Sequence, residues 1–138
     1  MDSMAIIIRD DSYDKILTPL AFAYLQAAEG TVVDILFVNW AVRALTEDGA
    51  AAMHIHGEHA KDEAMVREGV AKAGLPTEIM DILKALKSTE CVNFYACSLA
   101  ASIFGVNEDN LINEAEGIIG ASWFLNEKAS KADHCQYF

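Results

Sequence analysis

Three apolar runs constrain this chain most: Met4-Ala5-Ile6-Ile7-Ile8, Val32-Val33-Asp34-Ile35-Leu36-Phe37-Val38 and Cys91-Val92-Asn93-Phe94-Tyr95-Ala96-Cys97. The first is short, β-branched and free of polar alternation. That suits a strand buried on both faces, as in a parallel sheet. The second reads as a strand and the third as a buried strand. Helix-patterned segments lie between them. After the polar turn Arg9-Asp10-Asp11-Ser12, residues Ile16, Leu20, Ala23, Tyr24 and Ala27 recur at helical spacing, with Gly30 as a stop. Pro19 is awkward in a helix interior, so that helix either begins near Thr18 or kinks there.

Residues 39–45 read as a short helix and Asp48-Gly49 as a turn. Residues 50–59 fit no element. Residues 60–73 read as a charged surface helix closed by Gly74, and 77–87 as an amphipathic helix with Ile79, Ile82, Leu83 and Leu86 on one face. Beyond the third run, 98–104 is expected to be a short helix stopped by Gly105. Asn107 has the form of an N-cap, with Glu108 and Asp109 in a first turn. Residues 116–121 make a weak fourth strand, 122–131 a last helix and 134–138 a final edge strand. Strands and helices alternate at roughly 30-residue intervals, the length of a βαβ unit. The expectation is one domain over residues 1–138, a three-layer α/β/α sandwich on a mostly parallel five-stranded sheet. Sites in such sheets gather at the carboxyl ends of strands.

Composition narrows the function classes. Just over half of the 138 residues are hydrophobic, which rules out a disordered chain. No apolar run reaches the ~18 residues of a membrane span. The patch at residues 4–8 is too short for a signal peptide and is followed by its charge, so a cytoplasmic protein is expected. The net charge of −11 argues against nucleic acid. It permits a basic partner, although a solvated acidic surface explains it as well. No glycine-rich phosphate loop is present. Asp10 and Asp11 read as a polar turn rather than a magnesium site, and Trp40 and Trp123 as core or subunit-contact residues.

The three cysteines are an odd number without an export signal, as expected of free thiols in a reducing compartment. Cys91 and Cys97 in one strand would stand ~20 Å apart, beyond disulfide reach. Cys135 could approach Cys97 only if the last strand lies beside the third run. Most cysteines in apolar segments are small buried hydrophobes. Cys97 differs by place, at a strand's carboxyl end and a helix's amino end. Free backbone N–H groups and the helix dipole there favour a negative charge, and the thiolate is the reactive form. The chain's acidity opposes this, but distant carboxylates are screened beyond ~8–10 Å. Ala96, Ser98, Ala100 and Ala101 are small enough to admit a second thiol. No histidine lies near in sequence to act as a base, and no Cys-x-x-Cys is present. A lone activated cysteine of this kind suits thiol exchange.

The segment Val92-Asn93-Phe94-Tyr95-Ala96-Cys97, followed by Phe104-Gly105-Val106, Asn107-Glu108-Asp109 and Leu111-Ile112, resembles the cysteine region of the DsrE/DsrF-like sulfur-carrier family. Asp14-Lys15-Ile16-Leu17, Gly30 and residues 33–38 are similar to that family's first βαβ unit. Trp40, Ala44 and Leu45 suit the segment after it, and residues 120–125 resemble its last βα junction. The likeness covers most of the chain except 48–59. It implies a cytoplasmic, oligomeric protein whose cysteine, here Cys97, carries sulfane sulfur as a persulfide or thiosulfonate, with no cofactor. The backbone N–H groups near Ser98 and Leu99 would stabilise the anionic sulfur. Partners would be sulfur-donor and sulfur-acceptor proteins or small thiols, and the activity that of a sulfur carrier or sulfurtransferase.

The run His54-Ile55-His56-Gly57-Glu58-His59 carries a separate expectation. Three imidazoles within six residues can gather round zinc or a transition metal. The run is similar to the H-x-H-x-D-H signature of metallo-β-lactamase-type hydrolases, with Glu58 in the aspartate's place. Only His134 remains downstream, so the further ligands of such enzymes are missing. A solvated loop with adventitious metal affinity is the plainer reading. Two functions stand side by side: a sulfur relay centred on Cys97, and a non-catalytic oligomeric binding module of the same fold, with His54, His56 and His59 as its metal site.

Overall fold

The computed structural model describes residues 1–138. The three apolar runs are strands β1 (Ser3–Ile8), β2 (Val32–Phe37) and β3 (Val92–Cys97), joined by β4 (Gly117–Ile119) and β5 (His134–Tyr137). They form one sheet in the order β4-β3-β2-β1-β5, and every pairing is parallel. The helices are α1 (Tyr13–Ala28), α2 (Glu47–Ala51), α3 (Glu63–Lys72), α4 (Ile79–Ser88), α5 (Ser98–Phe104) and α6 (Ala121–Glu127), with 3-10 turns at Asn39–Leu45, Gly57–Asp62 and Ala129–Lys131. No helix is long and apolar enough to cross a membrane.

The steps from β1 to β2, β3 and β4 all run one way across the sheet. Right-handed crossovers therefore place α1 to α5 on one side. The return from β4 to β5 recrosses the sheet and places α6 on the other, which completes three layers. Alternation along the strands sorts the side chains accordingly. Ile6, Ile8, Val33, Ile35, Phe37, Val92, Phe94 and Ala96 face the thick helical layer and are fully buried. Phe37 and Phe94 meet there edge to face at 5.9 Å. The opposite face carries Ala5, Asp34, Leu36, Asn93 and Tyr95, and only α6 and its flanking turn cover it.

Several local readings needed correction. α1 starts at Tyr13 rather than near Thr18 and holds Pro19 inside it. Asp48-Gly49 lies inside α2, because the Thr46 hydroxyl accepts the Gly49 N–H at 3.0 Å and caps a helix there. The expected helix at 60–73 begins only at Glu63, and 57–62 is a tighter turn. α4 starts at Ile79, since the carbonyl of Thr77 is held by the Tyr13 hydroxyl at 2.6 Å. Asn107 caps a turn, its Oδ1 accepting the N–H groups of Asp109 and Asn110, and no helix follows. The chain leaves that turn to lay Leu111 beside Thr46 and donate from Ile112 to the Leu45 carbonyl. The last helix ends at Glu127, where Lys128 departs from helical geometry.

Glu90, between α4 and β3, sits at φ 63°. A side chain with a Cβ is disfavoured there by about 1 kcal/mol relative to glycine. Glu90→Gly is expected to raise stability by roughly 0.5 kcal/mol or more, the lost strain being offset in part by a freer unfolded chain. Urea unfolding of the two proteins side by side checks this, and a lowered midpoint contradicts it.

Candidate functional site

Cys97 ends β3 and is the N-cap residue of α5, with φ −66° and ψ 126°. The chain turns sharply here because Ser98–Phe104 favours a helix that Gly105 stops at φ 72°, where only a residue without Cβ is unstrained. The Cys97 side chain makes no capping hydrogen bond. Cys97 is buried as a residue, at 6 % exposure, as are Ala96, Ala100 and Ala101 at 0–3 %. Of the four small residues read as room for a second thiol, the three alanines are buried and Ser98 is exposed. Ser98 and Leu99 lie outward, Leu99 at 68 %.

Beside the thiol the surface is apolar. Leu99 and Ile103 (64 %) share one side of α5, and half-exposed Trp40 lies 4.4 Å from the Phe104 ring. Arg43 stacks on Trp40 at 5.5 Å and reaches Asp11 at 3.9 Å. Cys135 is exposed on β5, three strands from β3. At ~4.8 Å per strand that is some 14 Å across the sheet, so it cannot pair with Cys97. All three cysteines are free.

The sheet face that carries Tyr95 also holds a polar group that sequence reasoning missed. Asp34, nearly buried, accepts from the Asn93 amide at 2.9 Å, and Lys128 Nζ lies 3.6 Å from the same oxygen. The ammonium also stands over the Tyr95 ring at 5.8 Å. Burial pushes the Tyr95 phenol above its ordinary value, and Asp34 adds to this. Burial works against the Lys128 charge, yet Asp34 and Tyr95 outweigh it and hold its pKa above that of an ordinary lysine. The available signal was Asp34 itself, a charge within an apolar run. Nothing near it in sequence pointed to Lys128.

The histidines are spread along their loop rather than gathered. His54 Nδ1 lies 3.0 Å from Glu63, and His59 lies 3.4 Å from Asp62 and 3.7 Å from Glu58. His56 stands exposed at the head of the 3-10 turn. No three His, Cys, Asp or Glu side chains are placed together to hold a metal ion. A cavity of about 670 Å³ opens between α2 and residues 105–114 and is rimmed by Glu47, Asp48, Asp109 and Glu114. It reaches Phe104 at the far end of α5, and Cys97 does not line it.

No protein-family model matches the sequence, and no curated protein matches it. Solved structures do match its shape. The ychN protein of E. coli aligns over 100 % of both chains at 16 % identity and a TM-score of 0.63. The protein of unknown function BT1422 from Bacteroides thetaiotaomicron aligns over 99 % of this chain and 95 % of its own, at 13 % identity and 0.63. The protein of unknown function MTH1491 from Methanobacterium thermoautotrophicum aligns over 99 % of each, at 13 % and 0.60. At these identities the likeness concerns the fold.

Proposed function

We propose that this protein is a sulfur carrier of the DsrE/DsrF-like kind, with Cys97 as the carrying residue. The observation that supports the reading most is the position of that thiol. It is the last side chain of a parallel strand and the N-cap residue of α5, so the first backbone N–H groups of the helix, those of Ser98 and Leu99, follow it directly. The fold shared with the three neighbours supports it more generally. In the transfer, the Cys97 thiolate attacks the outer sulfur of a donor persulfide. A new sulfur–sulfur bond forms on Cys97, the donor's bond breaks, and the donor leaves as a thiolate. An acceptor thiolate takes the outer sulfur from Cys97 in the same manner. No external oxidant or reductant enters either step.

A second reading, a binding module without chemistry, is favoured by the apolar surface formed by Trp40, Leu99 and Ile103, at 50 to 68 % exposure. Surfaces of this kind mark contact sites. One experiment separates the two. In a chain carrying Cys91→Ser and Cys135→Ser, so that Cys97 is the one remaining thiol, intact mass after incubation with a polysulfide donor is expected to show one added sulfur, and none once Cys97→Ser is added. No added sulfur on Cys97 removes the carrier reading and leaves the module.

A further inference from the structure

We propose that α6 and the turn after it form a cover over Cys97 that opens as a local unit, and that the Lys128–Asp34 pair holds it shut. The purpose of such a cover rests on the carrier reading, but its existence does not.

Cys97 follows Asn93 and Tyr95 on alternate positions of β3, so the three lie toward the same side of the sheet. That is the thinly covered side. Trp123 and Phe124 of α6 close over the Tyr95 ring at 5.6 and 5.8 Å. Cys97 is in register with Ile119, and α6 sets off one residue later from Gly120. A carrier cysteine whose residue is only 6 % exposed meets a donor more readily when something beside it moves.

α6 is the weakly held neighbour. It has seven residues, too few to persist without packing, and Phe124 is its one fully buried side chain. Trp123 and Leu125 remain 43 and 48 % exposed, and Gly120 provides no side-chain cap. By contrast α1 buries six side chains. Segments with few buried apolar contacts open at lower free energy than the core. The second hold on α6 is Lys128, immediately after its last turn, against Asp34. Removing that ammonium leaves a nearly buried carboxylate with only the Asn93 amide beside it, and such a charge gains hydration whenever the cover lifts.

The test is residue-resolved alkylation with iodoacetamide under native conditions, with exposed Cys135 as the reference in the same chain. Wild-type Cys97 is expected to react on the order of 100-fold more slowly than Cys135, as for a site that reacts only through opening. Lys128→Met is expected to speed Cys97 about tenfold and leave Cys135 and the exchange of α1 amides unchanged. Asp34→Asn with Lys128→Met should return toward the wild-type rate, since neither charge is then left alone. Hydrogen exchange on the wild-type protein gives a reading that needs no variant: amides of 121–131 should exchange well before those of α1. The proposal is overturned if wild-type Cys97 reacts as fast as Cys135, or if Lys128→Met leaves the Cys97 rate unchanged. It is also overturned if that rate rises only in step with α1 exchange, or if the α6 amides are as protected as the core. Alkylation reads access and not sulfur transfer. A chain that opens as described but takes up no sulfur keeps the cover and loses the carrier reading, and the reverse result is equally distinct.

Discussion

Gly49→Ala is expected to be the most damaging single-methyl change in the protein. A Cβ at position 49 would stand 1.9 Å from the Arg43 carbonyl oxygen and 2.7 Å from Thr46 Oγ1. The first of these is backbone and cannot rotate aside. Relief requires α2 to move away from the 39–45 turn, which breaks the Thr46 cap and disturbs Ala44, Leu45 and Ala50 in the core. Overpacking against side chains costs about 1–3 kcal/mol, and a rigid carbonyl places this case at or above the upper end. For a domain of this size that lowers the melting temperature by roughly 10 °C. Gly69→Ala is the matched control. Gly69 lies within α3 with nothing within 4 Å of an added methyl, so helix propensity alone acts there. Calorimetry should show a gain of about 0.5–1 kcal/mol for that variant. A Gly49→Ala protein that melts within a degree or two of wild type would mean that α2 is free to shift.

The second large effect is expected at Arg67. Its guanidinium lies 4.0 Å over the Tyr13 ring, donates to the Met53 carbonyl at 2.9 Å and to Glu63 at 3.1 Å, and reaches the Thr77 carbonyl at 3.5 Å. One side chain thus ties α3 to α1, to Met53 at the entry of the histidine loop and to Thr77 just before α4. Arg67→Ala removes charge-assisted bonds and strands the Met53 carbonyl, while that of Thr77 keeps the Tyr13 hydroxyl, an effect of about 2–4 kcal/mol. Glu63 is the other half of this clasp. The His54 ring and then the Ile55 N–H hold its carboxylate, and Arg67 adds to them, so its pKa falls to about 2 from an ordinary 4.5. A depressed carboxylate stabilises the fold fully above its unfolded value, and that contribution drains away as pH drops from about 4.5 toward 2. Glu63→Gln is therefore expected to unfold in acid with a flatter dependence across that window than wild type. Parallel acid titrations followed by circular dichroism would show it, and identical slopes would contradict the clasp.

The legible parts of this fold are those decided by nearby residues. The apolar runs became β1, β2 and β3, because a strand buried on both faces leaves no choice of side chain. Ser98–Phe104 with Gly105 became α5 at the expected boundaries, since a left-handed stop is a local requirement. The parts that were not legible depend on distant partners. Asp48-Gly49 looks like a turn in isolation, and only the Arg43 carbonyl and the Thr46 cap make it helical. His54, His56 and His59 are close in sequence, but His54 pairs with Glu63 and His59 with Asp62, and no metal-holding group of three results. The position of Cys97 could be read from its neighbours. Its burial could not, because Trp123 and Phe124, the side chains that close over the same sheet face at Tyr95, are placed there by the return of the chain across the sheet.

The pairing of β5 with β1 has a bearing on how the molecule is made. Residues 130 positions apart meet there, as in the bond from Ser3 to Asp133. Synthesis makes β1 well before its outer neighbour β5. Until residues 134–137 follow, Ile6 and Ile7 present a bare strand margin. The interval between the two strands is thus a period of exposure to mispairing with other nascent chains.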